Sequence, residues 1–329
     1  MEYRRLGRSG VNVSPLVVGT MNFGNPTPKD EAVRIIDAAL DAGINVFDCA
    51  DVYAGGESER ILGEAFQRNG KRREVLLTSK VFNKVGQGPN DFGNSRHHIL
   101  DACEQSLRRL QTDHIDIYFL HRTDFRLPQE ETLAALDLLV KQGKVRYIAC
   151  STHPAWRIVE ALLLAEKSGY PKFICEQPPY NLLDRRIENE IIPMCQTYDL
   201  GILSWSPLAH GVLAGRYTDA SKLPEGSRGT RRTVYADRIT QAGIEVSTRL
   251  AERAEHKGCT VAQLAVAWVL HQPGITATIL GPRTLEQFES LLPALEIVLD
   301  EEDLAFCDAL VPPGQAVANF FNTSRWMKS

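Results

Sequence analysis

The stretch NVFDCADVYAGGESE, residues 45–59, ends an apolar run on Asp48 and places Tyr53 five positions later. Two further β-branched runs close on chemistry-bearing residues: VLLTSK on Lys80 and IDIYFLH on His121. A carboxylate, a phenol, an ammonium and an imidazole together can move a proton to or from an oxygen. A free tyrosine has a pKa of about 10, too high for a matched general acid at neutral pH. A neighbouring ammonium stabilises the phenolate, so Lys80 is expected to lower the pKa of Tyr53. Asp48 would hold that lysine charged and oriented, and His121 would donate a hydrogen bond to a substrate oxygen. Such a set protonates an oxygen while something else attacks its carbon. A plainer reading makes Asp48 a turn residue, Asp51 a cap for the next helix and Tyr53 amphipathic filler. It explains each residue singly, but not their supply from three consecutive strand ends.

The elements that must position them are short apolar runs alternating with amphipathic segments. Strands are expected at Leu16–Gly19, Ile44–Asp48, Val75–Lys80, Ile115–Leu120, Val145–Cys150, Phe173–Gln177, Gly201–Trp205 and Ile275–Leu280. Between them lie helical patterns such as KDEAVRIIDAALDAG and ETLAALDLLVKQGK. Eight β-then-α units predict parallel strands closed into a (β/α)8 TIM barrel. An open doubly wound sheet also alternates, but a dinucleotide-binding one should carry G-x-G-x-x-G after its first strand, and here that strand runs into GTMNFG. GQGPND opens no helix, and GPNDFGNS lacks the P-loop lysine. Insertions after strand three (FNKVGQGPNDFGNSRHH) and after strand seven (about 207 to 240) would overhang the C-terminal face, where barrel enzymes keep their sites. YRRLGRSGVNVS reads as a β-hairpin that plugs the opposite end. One domain is expected over 1–329, with 310–329 as a C-terminal tail.

Composition narrows the function classes. The 329 residues are 43% hydrophobic with a net charge of −4, enough for a large core and not the balance of a nucleic-acid surface. The N-terminus shows no apolar signal core, and no run approaches the ~20 residues of a membrane span. The seven cysteines lack any C-x-x-C pair and the histidines show no H-E-x-x-H, so no metal site is expected and a cytoplasmic location is.

Taken together, these segments resemble the aldo-keto reductase superfamily, most closely its longer, often bacterial members and the β-subunits of voltage-gated potassium channels. INVFDCADVYAGGESERILGEAF, LLTSK and IDIYFLHRTD are similar to its Asp-Tyr, lysine and histidine segments. GKVRYIACST, EQPPYNLLDRR, GILSWSPLAHGVLAGRY and TVAQLAVAWVLHQPGITATILGPRTLEQ extend the likeness over nearly the whole chain. The resemblance implies a catalytic tetrad of Asp48, Tyr53, Lys80 and His121 and a bound NADP(H). It assigns the nicotinamide amide to Ser151 and Gln177, ring stacking to Trp205, and the pyrophosphate loop to Ser206, Pro207, Leu208, Gly211 and Leu213, with Arg216 at a basic position. Gly281, Arg283, Thr284 and Gln287 fall to the adenosine phosphate, and Gly19, Thr20 and Met21 to the first strand's contribution. Met21, Asn22, Phe23, Phe82, Asn83 and Arg122, with Tyr53 and His121, would wall the substrate pocket. Phe320, Phe321 and Trp326 would either fold over that pocket or pack outside. Three departures stand out: Ala149-Cys150-Ser151-Thr152 where Gly-x-Ser-Asn is usual, Cys49 for Thr, and Ser290-Leu291 for the Glu-Asn pair at adenine.

The leading expectation is an NADPH-dependent carbonyl reductase acting on a small molecule, with no nucleic-acid or membrane partner, as a monomer or homo-oligomer. Polar cyclic ketones, sugars and aromatic aldehydes all suit its wall. A redox-sensing regulatory subunit is the alternative. It is disfavoured because the chain starts close to the hairpin and lacks a long N-terminal extension. An aldolase or isomerase would have no use for the dinucleotide-like segments at strands seven and eight.

Overall fold

The computed structural model describes residues 1–231 and 238–323. Two short antiparallel strands, β1 (Arg4–Arg5) and β2 (Asn12–Val13), form the expected hairpin. The rest are β3 (Leu16–Gly19), β4 (Val46–Asp48), β5 (Leu76–Val81), β6 (Ile115–Leu120), β7 (Val145–Cys150), β8 (Cys175–Glu176), β9 (Gly201–Trp205) and β10 (Ala277–Leu280). These eight close into a parallel ring in chain order, with β10 returning to pair with β3. The fold is a (β/α)8 TIM barrel. Strand β8 is shorter than its sequence suggests, although Ile174 N–H and Gln177 N–H still donate to β7 carbonyls at 3.0 and 2.9 Å. The difference is therefore one of strand boundary.

Around the ring run α1 (Lys29–Asp41), α2 (Glu57–Asn69), α3 (Arg96–Leu110), α4 (Gln129–Lys141), α5 (Ala155–Ser168), α6 (Ile191–Thr197), α7 (Arg228–Arg231), α8 (Gln241–His256), α9 (Val261–His271), α10 (Leu285–Glu289) and α11 (Glu301–Leu310). Helix α9 starts on a reciprocal cap between Thr260 and Gln263, and α11 on one between Asp300 and Asp303. No helix among the described residues is long and apolar enough to cross a membrane.

Strand periodicity divides the core in two. Val17, Val46, Ile117, Phe119, Ala149, Cys175, Leu203, Ala277 and Ile279 fill the barrel interior. Their neighbours, such as Phe47, Leu77, Tyr118 and Ile148, pack outward against the helices. The residue two positions beyond each inward one must again face inward, and at the C-terminal rim that rule selects Gly19, Asp48, His121, Ser151, Gln177, Trp205 and Gly281. Register adds Lys80, which pairs with inward Phe119, and Thr78, which pairs with Ile117.

At the other end the hairpin sends Leu6 and Val13 into the interior cluster. Gly7 has φ +51°, and a Cβ there would lie 2.4 Å from Gly201 N and 2.5 Å from Ile174 O. Only glycine lets the hairpin seat so closely.

The tail is pinned to the barrel. Phe320 N–H and Phe321 N–H donate to Asp184 Oδ2 at 2.6 and 2.7 Å, and Val317 and Ala318 N–H to Leu183 O. Phe320 is buried and its ring meets His210 edge-on at 5.0 Å. The tail thus braces a rim loop from behind; Trp326 lies outside the described residues.

Replacing Gly7 by Ala combines an unfavourable φ with overlap against Gly201, and is expected to cost roughly 2–4 kcal/mol. Denaturant unfolding would measure it, and a loss below ~0.5 kcal/mol would mean that the hairpin does not depend on this contact.

Candidate active site

The neighbouring strands β4, β5 and β6 bring the four proton-handling groups together. Lys80, fully buried, points its Nζ at Asp48 Oδ2 at 2.6 Å, at Cys49 O at 2.7 Å and at the Tyr53 hydroxyl at 3.4 Å. The other Asp48 oxygen accepts from Thr78 Oγ1 and Gln177 Nε2, each at 2.9 Å. Tyr53 does not sit on a strand. It opens a tight 3₁₀ turn, Tyr53–Gly56, in which Ala54 and Gly55 take left-handed conformations that carry the chain from the β4 rim into α2. Asp51 caps no helix: α2 starts after Gly56, and both Asp51 oxygens are buried without a hydrogen-bond partner among the described residues. Burial first, then repulsion from Glu59, raises its pKa well above the usual carboxylate value.

The expected lowering of the Tyr53 pKa is not what the structure shows. Burial pushes it up, the Lys80 ammonium pulls it down and Asp48 pushes it up again, leaving it above its ordinary 10. Lys80 itself is opposed by burial but raised by Asp48 and Tyr53, with a net upward shift that keeps it cationic. The tyrosine is thus held as a proton donor.

His121 stands edge-on to Tyr53, ring centroids 5.8 Å apart. Burial, then the charges of Arg122 and Lys80, lowers its pKa well below 6.5, so the ring is neutral at pH 7. Its Nδ1 lies 3.1 Å from Asn83 Nδ2. An amide nitrogen donates, so Nδ1 accepts and Nε2 carries the proton. That is the tautomer which can donate to a substrate oxygen.

A cleft of about 580 Å³ opens over this group. Of the sequence-derived residues, its wall carries Gly19, Met21, Asn22, Asp48, Tyr53, Asn83, His121, Arg122, Ser151, Gln177, Trp205, Ser206, Pro207, Leu208, Gly211, Arg216, Gly281, Arg283 and Gln287. Asn22 ties the rims of β3 and β10 by donating to Gly281 O at 2.9 Å. Ser151 Oγ donates to Gln177 O at 2.9 Å, and Trp205 Nε1 to Thr152 Oγ1 at 3.4 Å.

Six expected residues lie off that wall, each for a local reason. Thr20 donates to Asp48 O and accepts from Ser58, stitching β3 to β4 from behind. Lys80 acts from beneath Asp48 and Tyr53. Phe23 is buried in the outer core, and Phe82 is buried against Phe92 at 4.8 Å. Leu213 is wholly buried under the β9 loop. Thr284 caps α10, its hydroxyl accepting from Gln287 N–H at 3.2 Å.

The sequence reading missed Val52, His210, Arg238 and Ala262, which also line the cleft, and did not place Ser290 and Leu291 there. Arg238 stacks over Trp205 and Phe320 at 5.7 and 5.3 Å. The loop after β9 is contorted: Ser206, Ala209 and His210 are non-glycine residues at φ +60°, +46° and +58°, followed by Gly211 at +96°. Several of its N–H groups close the loop on itself: Ala209 donates to Ser206 O at 3.0 Å and Gly211 to Leu208 O at 2.8 Å. Among the described residues, four arginines (122, 216, 238 and 283) share the wall with one acid, Asp48, which is paired with Lys80.

Comparison with known proteins agrees with this geometry. The profile described as "Aldo/keto reductase family" matches residues 15–312. The chain is 41% identical over 324 residues to the uncharacterized oxidoreductase YrpG of Bacillus subtilis (strain 168), covering 95% of this chain and 97% of that protein. It is 38% identical to a probable voltage-gated potassium channel subunit beta of Oryza sativa subsp. japonica, over 91% and 92% of the two chains. Versiconal hemiacetal acetate reductase of Aspergillus parasiticus is 33% identical over 94% and 96%. The chain belongs to the aldo/keto reductase family of oxidoreductases.

Proposed function

We propose that this protein is an NADPH-dependent carbonyl reductase in which Tyr53 delivers the proton to an aldehyde or ketone oxygen. The observation that carries the reading is the Lys80 ammonium, held within 2.6 Å of Asp48 and 3.4 Å of the Tyr53 hydroxyl, beside a neutral His121. The cleft suits the cofactor chemically: an elongated dinucleotide with three phosphates needs cationic side chains, and among the described residues the wall supplies four arginines and no acid besides the paired Asp48. Arg283 and Gln287 would meet the 2′-phosphate, Arg216 and the contorted β9 loop the pyrophosphate, and Ser151, Gln177 and Trp205 the nicotinamide. When bound, that group supplies a hydride.

The chain's own residues do the rest. His121 Nε2–H orients the carbonyl oxygen toward Tyr53. As negative charge develops there, the Tyr53 hydroxyl proton moves onto it. Lys80 stabilises the phenolate left behind, and Asp48 keeps that ammonium in place. In the reverse direction the phenolate accepts the proton of an alcohol. Arg122, Asn22 and Asn83 give the substrate wall a polar, cationic edge.

A second reading, a redox-sensing regulatory subunit, draws on the likeness to the channel β-subunit. Tight NADPH binding with turnover far below the ~1–10³ s⁻¹ of ordinary enzymes, on every carbonyl in a broad screen, would favour it over the reductase.

Tyr53→Phe is expected to lower kcat for reduction about 10²- to 10⁴-fold while NADPH binding, followed by fluorescence titration, stays near wild type. Because the hydroxyl pKa is raised, the donor stays protonated across neutral pH. The wild-type reduction rate should therefore be flat from about pH 6 to about pH 9, and oxidation should climb over the same range. A reduction profile breaking near neutrality would contradict the acid assignment.

Lys80→Met leaves Asp48 buried without its cation and should destabilise the fold by about 3–5 kcal/mol. The double variant Asp48→Asn/Lys80→Met should recover much of that stability but not turnover. Recovery of both would reduce Lys80 to a structural counter-ion.

Arg283→Ala should weaken NADPH about 10- to 100-fold and leave NADH nearly unchanged, the loss of a charge-assisted contact. Equal losses for both cofactors would place phosphate recognition elsewhere.

A further inference from the structure

The inward rule that sends Ser151 and Gln177 to the cleft sends the residues before them outward. Cys150 on β7 and Glu176 on β8 face the helix layer, and the turn through Thr152, at φ +55°, folds His153 back beside them. All three side chains are buried, and one potential ligand atom from each lies within 4.8 Å of the other two. Their polar atoms are oriented. His153 Nδ1 is 3.0 Å from Ser151 O, a carbonyl that can only accept, so the ring proton sits on Nδ1 and the lone pair on Nε2. Glu176 Oε1 accepts from His153 N–H at 3.0 Å, while Oε2 is buried with no hydrogen-bond partner among the described residues. The Cys150 thiol reaches Cys175 O at 3.9 Å, a weak contact.

We propose that Cys150, His153 and Glu176 form a binding site for a divalent transition metal, with zinc the best match to a mixed sulfur, nitrogen and oxygen donor set. Oε2 takes no hydrogen bond from a nitrogen or oxygen donor among the described residues and has only the weakly donating Cys150 thiol beside it; a buried carboxylate oxygen among a thiol and an imidazole is a donor set a cation can use. The His153 ring is buried. Its Nδ1–H on a backbone carbonyl is the outer contact that orients metal-bound histidines. On binding, the Cys150 S–H bond breaks, its proton leaves to solvent and the electron pair stays on sulfur to form the sulfur–metal bond.

The location gives the site a role. β7 and β8 share a single registered pair, and that pair is Cys150 with Glu176. A metal there staples the thinnest seam of the barrel, directly behind Ser151 and Gln177. The spacing signal, Cys150-x-x-His153, was hidden because the third donor comes from the next strand.

The test is a cobalt titration of the full chain after chelator treatment, with metal content of the untreated protein measured in parallel. One equivalent of Co²⁺ per chain should give a near-ultraviolet sulfur-to-cobalt charge-transfer band that Zn²⁺ abolishes, and Zn²⁺ should raise the melting temperature. The band should vanish in Cys150→Ala, persist in Cys259→Ala and weaken at least tenfold in apparent affinity in Glu176→Gln. That last, nearly isosteric variant decides the matter if Cys150→Ala does not fold. No band at equimolar Co²⁺, or a band undiminished in both Cys150→Ala and Glu176→Gln, overturns the proposal. Neither result depends on carbonyl reduction.

Discussion

A lysine with no exposed surface can stay charged only if its counter-charge is equally buried, and Lys80 and Asp48 satisfy each other on those terms. Such a pair is weak evidence of stability, since the desolvation of two ions rivals their attraction. It persists here with further hydrogen bonds on both ions: Cys49 O and the Tyr53 hydroxyl on the lysine, Thr78 and Gln177 on the aspartate. Those partners come from β4 and β5, which are direct neighbours, and from the end of β8, which reaches Asp48 across the barrel. Closure of the barrel therefore completes the hydrogen bonding around the pair, and the pair is what gives Tyr53 an ammonium neighbour.

Electrostatics in the cleft then follows a division of labour. At the centre, burial and the ion pair hold three groups in defined states: a cationic lysine, a protonated tyrosine and a neutral imidazole. Toward the rim, arginines dominate among the described residues. The inner region thus gathers titratable groups and the outer region cationic side chains. Phe320, anchored through Asp184, stiffens the boundary by packing on His210.

Much of this was legible in the chain. The βα rhythm predicts the closed parallel ring, and polar residues two positions past inward apolar ones predict the rim. What periodicity could not tell is how loop side chains turn once the strand ends. Phe23 follows the apolar core and Phe82 packs on Phe92 instead of lining the cleft, and Thr284 uses its hydroxyl on a helix start. The direction of the Tyr53 pKa was misjudged for a related reason: sequence names the ammonium, but not the burial that outweighs it. His210 and Arg238 lie in an insertion without periodicity, so only three-dimensional proximity identifies them.

The alternation along β7 and β8 has a consequence for how such a chain can change over generations. Each strand end carries two messages on adjacent letters, one read from inside the barrel and one from outside. Loops around the rim can gain or lose residues and merely reshape the mouth. A single codon inserted within β7 would exchange Ser151 for Cys150 at the cleft and turn the serine toward the helices, inverting both messages while leaving composition almost untouched. Length drift is thus permitted at the rim and forbidden in the staves, so new specificities arise by substitution at rim positions or by growth of the loops above them.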